Sequence, residues 1–265
     1  IRSDSLKIIV HKKTCKTNNN CQISLLNETS IKEELHASIL KKASLLEVNS
    51  QTDFVARDES FSAFANSVVD LALDKEISTS EDLLSTPLNG DQTVDQVRVE
   101  LVAKLGENIN CRRLAFTKAG SDSELVSSYV HQGKIGVIVK ISGGNADIAR
   151  DMAMHVAANA PLVIEPTDVP QELVEKEKDI FIAQAKESGK PDDIIQKMIQ
   201  GRVAKFVGEQ SLSGQAFVKD PSMKVAKVLS QANAKVLEFV RFEVGEGIEK
   251  EEVDFAAEVM AQAKG

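Results

Sequence analysis

The sequence predicts an α+β fold of two units. Short β-rich runs bounded by turn residues alternate with amphipathic helical stretches from residue 45 onward. A long helical stretch with almost no core of its own interrupts the second unit, which predicts an inserted arm of two antiparallel helices. A last amphipathic stretch predicts a C-terminal helix.

Composition excludes several classes of protein. The 265 residues carry 40 acidic and 32 basic side chains, a net charge of -8, and 42% are hydrophobic, which is ordinary for a soluble globular chain of one or two domains. The acidic balance disfavours binding of bare nucleic acid, and the absence of Trp with a single Tyr leaves little for base stacking. No stretch approaches the ~20 apolar residues of a membrane span.

Residues 1–44 differ from the rest of the chain. They carry a net charge of +4, whereas residues 45–265 carry -12. A short strand over 7–10 and one helix over 31–40 are expected, but no domain. The chain begins at Ile1 rather than Met, which suggests that a preceding segment is missing. Three cysteines fit no zinc template and indicate a reducing setting, either the cytoplasm or an organelle interior.

The first unit, residues 45–124, follows helical and strand spacing closely. Thr93 and Gln96 have the spacing of a capping box, and Gly106 stops the helix that follows. The predicted elements are a strand over 45–48, a helix with Phe61, Phe64, Ala65, Val68 and Ala72 on its apolar face, a helix over 94–105 and a strand over 108–116.

The second unit comprises residues 125–163 and 213–247. Two β-rich runs, 126–130 and 135–141, flank His131 to Lys134, and Gly133 suits the left-handed residue of a hairpin turn. A helix over 146–159 follows. A strand over 236–244 is predicted to place Val236, Val240, Phe242 and Val244 on one face.

The arm, residues 164–212, consists of two helices joined at Ser188 to Pro191. Gly189 suits the end of the first helix and Pro191 the first turn of the second. About 17 residues per helix give a length of roughly 25 Å. Such an arm should project and meet a partner or a second copy. Residues 248–265 form the C-terminal helix, for which packing on its own domain is the simpler reading.

The sequence contains no recognisable catalytic constellation. A phosphate-binding GxxxxGK[ST] loop is missing, and the four histidines are scattered. We therefore expect no enzyme, no cofactor and no metal. His155 lies on the apolar face of its helix and is interpreted as a hydrogen-bonded structural histidine, and Cys111 as a core residue.

One predicted turn contains side chains that can stabilise it locally. Thr52 and Asp53 directly follow a strand, and their side chains can close a turn by bonding to backbone. Phe54 would then lie at a tip. Either Phe54 caps the core, as most phenylalanines do, or it is an aromatic anchor for the pocket of a partner.

Several motifs resemble the elongation factor Ts family, which exchanges nucleotide on elongation factor Tu. They extend over about residues 45–264 in family order, and bacterial or organellar members look most similar. The motifs are Thr52-Asp53-Phe54-Val55 within 49–57, Leu105-Gly106-Glu107-Asn108 within 103–110, Arg112-Arg113, His155 within 154–158, Gly189-Lys190-Pro191, Gly201-Arg202, Lys205-Phe206, Phe217-Val218 and 241–247.

The resemblance implies two α+β subdomains with small antiparallel sheets, an antiparallel coiled-coil arm and a C-terminal docking helix. It also implies a function. Phe54 would wedge between helices of the nucleotide domain of elongation factor Tu, with Asp53 holding the turn. This would disturb the magnesium and phosphate site, so that GDP leaves and GTP replaces it.

Partner contacts follow from the same resemblance. Beyond Thr52 to Val55, the matching positions are Leu105, Gly106, His131, Val218 and, near a family methionine, Met260. The partner would be elongation factor Tu in its GDP and nucleotide-free forms, with self-association through the arm as a further expectation. Direct contact with nucleic acid or membrane is not expected.

The front segment departs from the family pattern. Residues 1–44 do not resemble the small ubiquitin-associated-like domain that opens other members, so they are either a divergent front or an artefact of truncation or translation. An alternative function follows: a binding or assembly protein that uses the arm but has lost exchange activity. A hydrolase with a hidden site is a third hypothesis.

Overall fold

The fold is known from a computed structural model that describes residues 5–15, 21–24, 40–186 and 191–247, with side chains from residue 41 onward. Its mixed strands and helices confirm the α+β class. The strands are β1 (Ser5–Cys15), β2 (Cys21–Ser24), β3 (Leu40–Ser50), β4 (Pro87–Asn89), β5 (Gln92–Thr93), β6 (Asn110–Lys118), β7 (Glu124–His131), β8 (Ile135–Gly143), β9 (Ala216–Phe217), β10 (Asp220–Lys224) and β11 (Ala234–Glu243). The helices are α1 (Asp53–Arg57), α2 (Glu59–Lys75), α3 (Ser80–Ser85), α4 (Val94–Leu105), α5 (Ala146–Asn159), α6 (Gln171–Lys186), α7 (Asp192–Gln210) and α8 (Val225–Gln231).

One antiparallel sheet connects the strands of the two predicted units. Its order is β11-β8-β7-β3-β1-β2. β6 also pairs with β3, along the edge opposite to the one that pairs with β1. Among the described residues, the strands of the two units pair at a single bridge, Leu40 to Val126, and they also pack together in a cluster that includes Leu45 and Ile138. β3 reaches this bridge because it begins at Leu40, five residues before the predicted start of the strand.

Part of the front segment belongs to this sheet. β1 runs antiparallel to β3, with a register from Ser5 opposite Ser50 to Thr14 opposite Leu40. The sequence predicted a strand only over 7–10. The long strand needs a non-local partner that local spacing does not reveal. The helix predicted over 31–40 lies outside the described residues, except that Leu40 opens β3.

The first core forms between β3, β6 and the helices α2 to α4. The predicted apolar face of α2 is buried there. Asp58 caps the start of α2, and the predicted capping box of Thr93 and Gln96 opens α4. α4 ends at Gly106, whose φ of 73° is left-handed. Cys111 is buried in the same core, as predicted, and burial raises the pKa of its thiol to about 12.

The second core lies between α5, α8 and the strands β7, β8 and β11. β7 and β8 form the predicted hairpin. His131 pairs with Ile135, so the loop has three residues; Gln132 and Gly133 both have positive φ, 51° and 66°, and the Lys134 N–H donates to the His131 carbonyl at 2.9 Å. This turn carries His131 at the end of the hairpin.

The predicted single face of the last strand was wrong. Val236 packs in the second core with Phe239, whereas Val240 and Phe242 join a separate cluster with Ile138. The register of β11 against β8 shifts between Val236 and Glu238. This bulge inserts one extra residue and reverses the alternation of side chains beyond it.

The arm is a helical hairpin. Ala185 near the end of α6 packs with Ile195 and Ile199 near the start of α7, and Arg202 lies 5.7 Å from the ring centre of Phe181. The helices have 16 and 19 residues, about 24 and 28 Å at ~1.5 Å per residue. Pro191 precedes α7 as its cap rather than opening its first turn. Coiled-coil geometry stays a prediction, and the 188–190 part of the turn and the C-terminal helix lie outside the described residues.

A buried carboxylate connects both units. Glu47 on β3 has no exposed surface; Arg112 reaches it at 3.2 Å, Arg113 contacts it through Nε, and the Gly245 N–H donates to it at 3.3 Å. Consecutive residues of a strand normally face opposite sides. A bulge in β6 opposite Glu47 allows both arginines to meet one carboxylate. Arg112 and Arg113 also bond Glu246, just after β11.

His155 on α5 is a second buried polar group, as predicted. Its Nε2 lies 2.9 Å from Oε1 of Gln215, and its Nδ1 accepts the Val218 N–H at 3.1 Å. Nε2 therefore carries the proton. Burial holds the pKa of His155 below its usual value, and the bond to Gln215 offsets this only in part.

We expect Glu47→Gln to lower the free energy of unfolding by about 2–3 kcal/mol. This loss is smaller than the ~3–5 kcal/mol that breaking a fully buried ion pair costs, because about a quarter of each arginine side chain is exposed. The matched control is Glu238→Gln, a strand carboxylate that is 41% exposed and paired with Lys140, for which we expect at most about 1 kcal/mol. Urea unfolding measures both, and coinciding midpoints would contradict the account.

We expect His155 to make stability depend on pH. Because its folded pKa lies below the unfolded value of about 6.5, the unfolded chain binds the proton more readily. Neutral His155 therefore contributes fully to stability above pH ~6.5, and this contribution is lost as pH falls from there toward the folded pKa. The free energy of unfolding, measured by denaturation between pH 5 and 7.5, should vary less with pH in His155→Leu than in the wild type. An unaltered slope in His155→Leu would refute the assignment.

Candidate functional site

The predicted turn is a five-residue helix at the end of β3. Thr52 caps α1 by accepting the Val55 N–H at 3.4 Å, and Asp53 lies in the first turn, where a carboxylate is favourable. α1 stops after Arg57 because Asp58 starts the next helix. The backbone N–H of Ser60, 2.7 Å from the Asp58 carboxylate, lowers the pKa of that group.

Phe54 projects from this helix into solvent. Its surface is 88% exposed, more than that of any other large hydrophobic residue among those described; Val99 and Leu162 come next at 51% each. Val55, directly after it, is buried in the first core. Leaving a Phe side chain in water forgoes ~1.5–3 kcal/mol of burial energy. This exposure contradicts the interpretation of Phe54 as a cap on the core and confirms its position at a tip, whereas its role as an anchor for a partner stays a prediction.

Glu107 links the turn to the end of α4. Its Oε2 accepts the Thr52 N–H at 3.0 Å and its Oε1 accepts the Thr52 hydroxyl at 2.5 Å. Gly106 is exposed beside it, and Leu105 is half-buried against the first core. The structure therefore brings Thr52 to Val55 together with Leu105 and Gly106.

Two predicted site residues lie on other turns. His131 is exposed at the end of the β7–β8 hairpin, where its Nδ1 is 3.3 Å from the hydroxyl of Tyr129. Val218 is 38% exposed between β9 and β10, with its N–H bonded to His155. Met260 lies outside the described residues.

Within the part of the chain that the structure describes, no group of three or more His, Cys, Asp or Glu side chains could hold a metal ion. None of the described helices is long and apolar enough to cross a membrane.

Sequence reasoning assigned no role to Glu107, although it lies in a motif that carried the resemblance. Its partner Thr52 is 55 residues away, so no local spacing connects them. The only local signal is that Glu107 directly follows the left-handed Gly106.

Comparison with known proteins agrees with the motifs. A family model described as elongation factor TS matches residues 51–246. Proteins named elongation factor Ts from Legionella pneumophila (strain Lens), Methylococcus capsulatus and Francisella tularensis subsp. novicida are 53%, 51% and 52% identical over 224 residues, which cover 84% of this chain and 76% of each relative. The chain therefore belongs to the elongation factor Ts family.

Proposed function

We propose that the protein is a guanine-nucleotide exchange factor for elongation factor Tu in translation elongation. Membership of the elongation factor Ts family supports this function in general. The observation that carries the finer proposal is the 88% exposed Phe54 on a capped helix. Work in translation would place the protein in the cytoplasm or an organelle interior.

Phe54 acts in this proposal as a wedge. A rigid aromatic side chain that is already exposed needs no rearrangement before it enters an apolar pocket of the partner. Its entry into the nucleotide domain displaces the groups around magnesium and phosphate, and GDP dissociates. Thermodynamic coupling requires the factor to bind the nucleotide-free partner more tightly than the GDP form. The step makes and breaks no covalent bond.

The remaining site residues extend the contact. Leu105 and Gly106 lie at the end of α4, which Glu107 connects to the wedge. His131 and Val218 provide separate exposed contacts on the second unit. Met260 and the C-terminal helix complete the proposed docking surface.

Self-association through the arm is a separate proposal. Ile180 on α6 and Ile194 on α7 are 42% and 43% exposed. Apolar side chains on a two-helix hairpin can pack against a second hairpin.

We expect Phe54→Ala to slow the release of fluorescent GDP from elongation factor Tu by about tenfold or more at sub-saturating factor, because buried aromatic anchors contribute ~2 kcal/mol or more. The matched control is Val99→Ala, which removes an exposed apolar side chain of α4. Both variants should unfold at the wild-type denaturant midpoint, since neither side chain is buried.

Equal release rates for wild type and Phe54→Ala would refute the wedge. Binding of the wild type to elongation factor Tu without any acceleration would instead favour the assembly protein that lacks exchange activity.

A further inference from the structure

Glu107 is a polar residue of the site that the proposed exchange step itself does not use. We propose that it is a positioning residue that fixes the direction of Phe54 by clamping Thr52. The proposal rests on the proposed exchange function. It concerns how the wedge is held in place before the partner arrives.

The clamp has two points. Both oxygens of the Glu107 carboxylate bond to the same residue, at 3.0 Å to the Thr52 backbone N–H and 2.5 Å to its hydroxyl. Hydrogen bonds to a charged acceptor are roughly twice as strong as neutral ones. A carboxylate can accept at both oxygens, whereas a carboxamide can accept at only one.

The Thr52 hydroxyl passes this constraint to α1. It donates to Glu107 and accepts from the Val55 N–H at 3.4 Å. With its hydrogen directed at the carboxylate, a lone pair remains for the helix cap. The Thr52 carbonyl is also engaged, by the Ser50 hydroxyl at 3.2 Å and the Ala56 N–H at 3.2 Å.

Phe54 is held on both sides as a result. The cap residue Thr52 is fixed by the clamp, and Val55 is buried in the first core. Since Phe54 itself has few neighbours to hold it, its direction depends on the backbone of α1. A loose cap would let this five-residue helix fray, because so short a helix is not stable alone.

The other end of the clamp is anchored by α4. Gly106 donates its N–H to the Val102 carbonyl at 2.9 Å and turns the chain through a left-handed conformation. Glu107 therefore leaves the helix in a defined direction. This arrangement makes the wedge and the exposed end of α4 one unit, so both would meet the partner in a fixed geometry.

A double-mutant cycle tests the proposal. Glu107→Gln removes the negative charge and one acceptor, so the Thr52 N–H and hydroxyl can no longer both donate to this side chain, and we expect GDP release to slow by about tenfold. In a Phe54→Ala background the same change should cost almost nothing further. Additive losses would mean that Glu107 contacts the partner directly, and an unchanged rate would mean a merely structural role; either result overturns the proposal.

Two further variants serve as controls for the double-mutant cycle. Glu100→Gln changes another α4 carboxylate, which accepts from Gln92 at 2.7 Å, and should leave release unaffected. Thr52→Val removes the hydroxyl and should reproduce the Glu107→Gln defect.

Hydrogen exchange separates this proposal from the exchange function. Glu107→Gln should lower protection of the Val55 and Ala56 amides about tenfold without changing that of Leu114 in β6. Unchanged protection overturns the positioning role even if the wild type exchanges nucleotide normally. If the wild type fails to accelerate GDP release, the proposed function fails, and the amide protection still decides whether the clamp exists.

Discussion

The fold depends on one buried carboxylate at the centre of its sheet. Glu47 on β3 is held by Arg112 and Arg113 of the first unit and by the backbone of Gly245 beyond β11. A charge without solvent contact is stable only if it is paired and hydrogen-bonded. This requirement ties the last strand of the second unit to the middle of the first, where the described strands pair at one bridge and share an apolar cluster that includes Leu45 and Ile138.

The same strand positions the candidate site. β3 ends at Ser50, three residues after Glu47, and the cap of α1 follows two residues later. The chain from the buried carboxylate to the exposed Phe54 is therefore short. Glu107 holds the other side of the turn. The exposure of Phe54 has a cost in burial energy, and rigid support is what makes such a side chain useful for binding.

Interactions between residues close in sequence were enough to predict several of these features. The capping box of Thr93, the hairpin turn before Ile135 and the tip position of Phe54 depend on neighbours within a few residues. The bulge in β11 was not predicted, because one inserted residue leaves the local composition unchanged while reversing the faces beyond it. Nor was the clamp between Thr52 and Glu107, which joins residues that only tertiary structure brings together.

In the proposed function, Phe54 couples this chain to nucleotide release on elongation factor Tu. Reciprocal coupling tests it most directly: the affinity for elongation factor Tu is measured with and without saturating GDP, for the wild type and for Phe54→Ala. We expect GDP to lower the affinity of elongation factor Tu for the wild type by the same factor by which the wild type lowers its affinity for GDP. In Phe54→Ala this factor should fall toward one. A factor of one in the wild type, or an equal factor in both proteins, would contradict it.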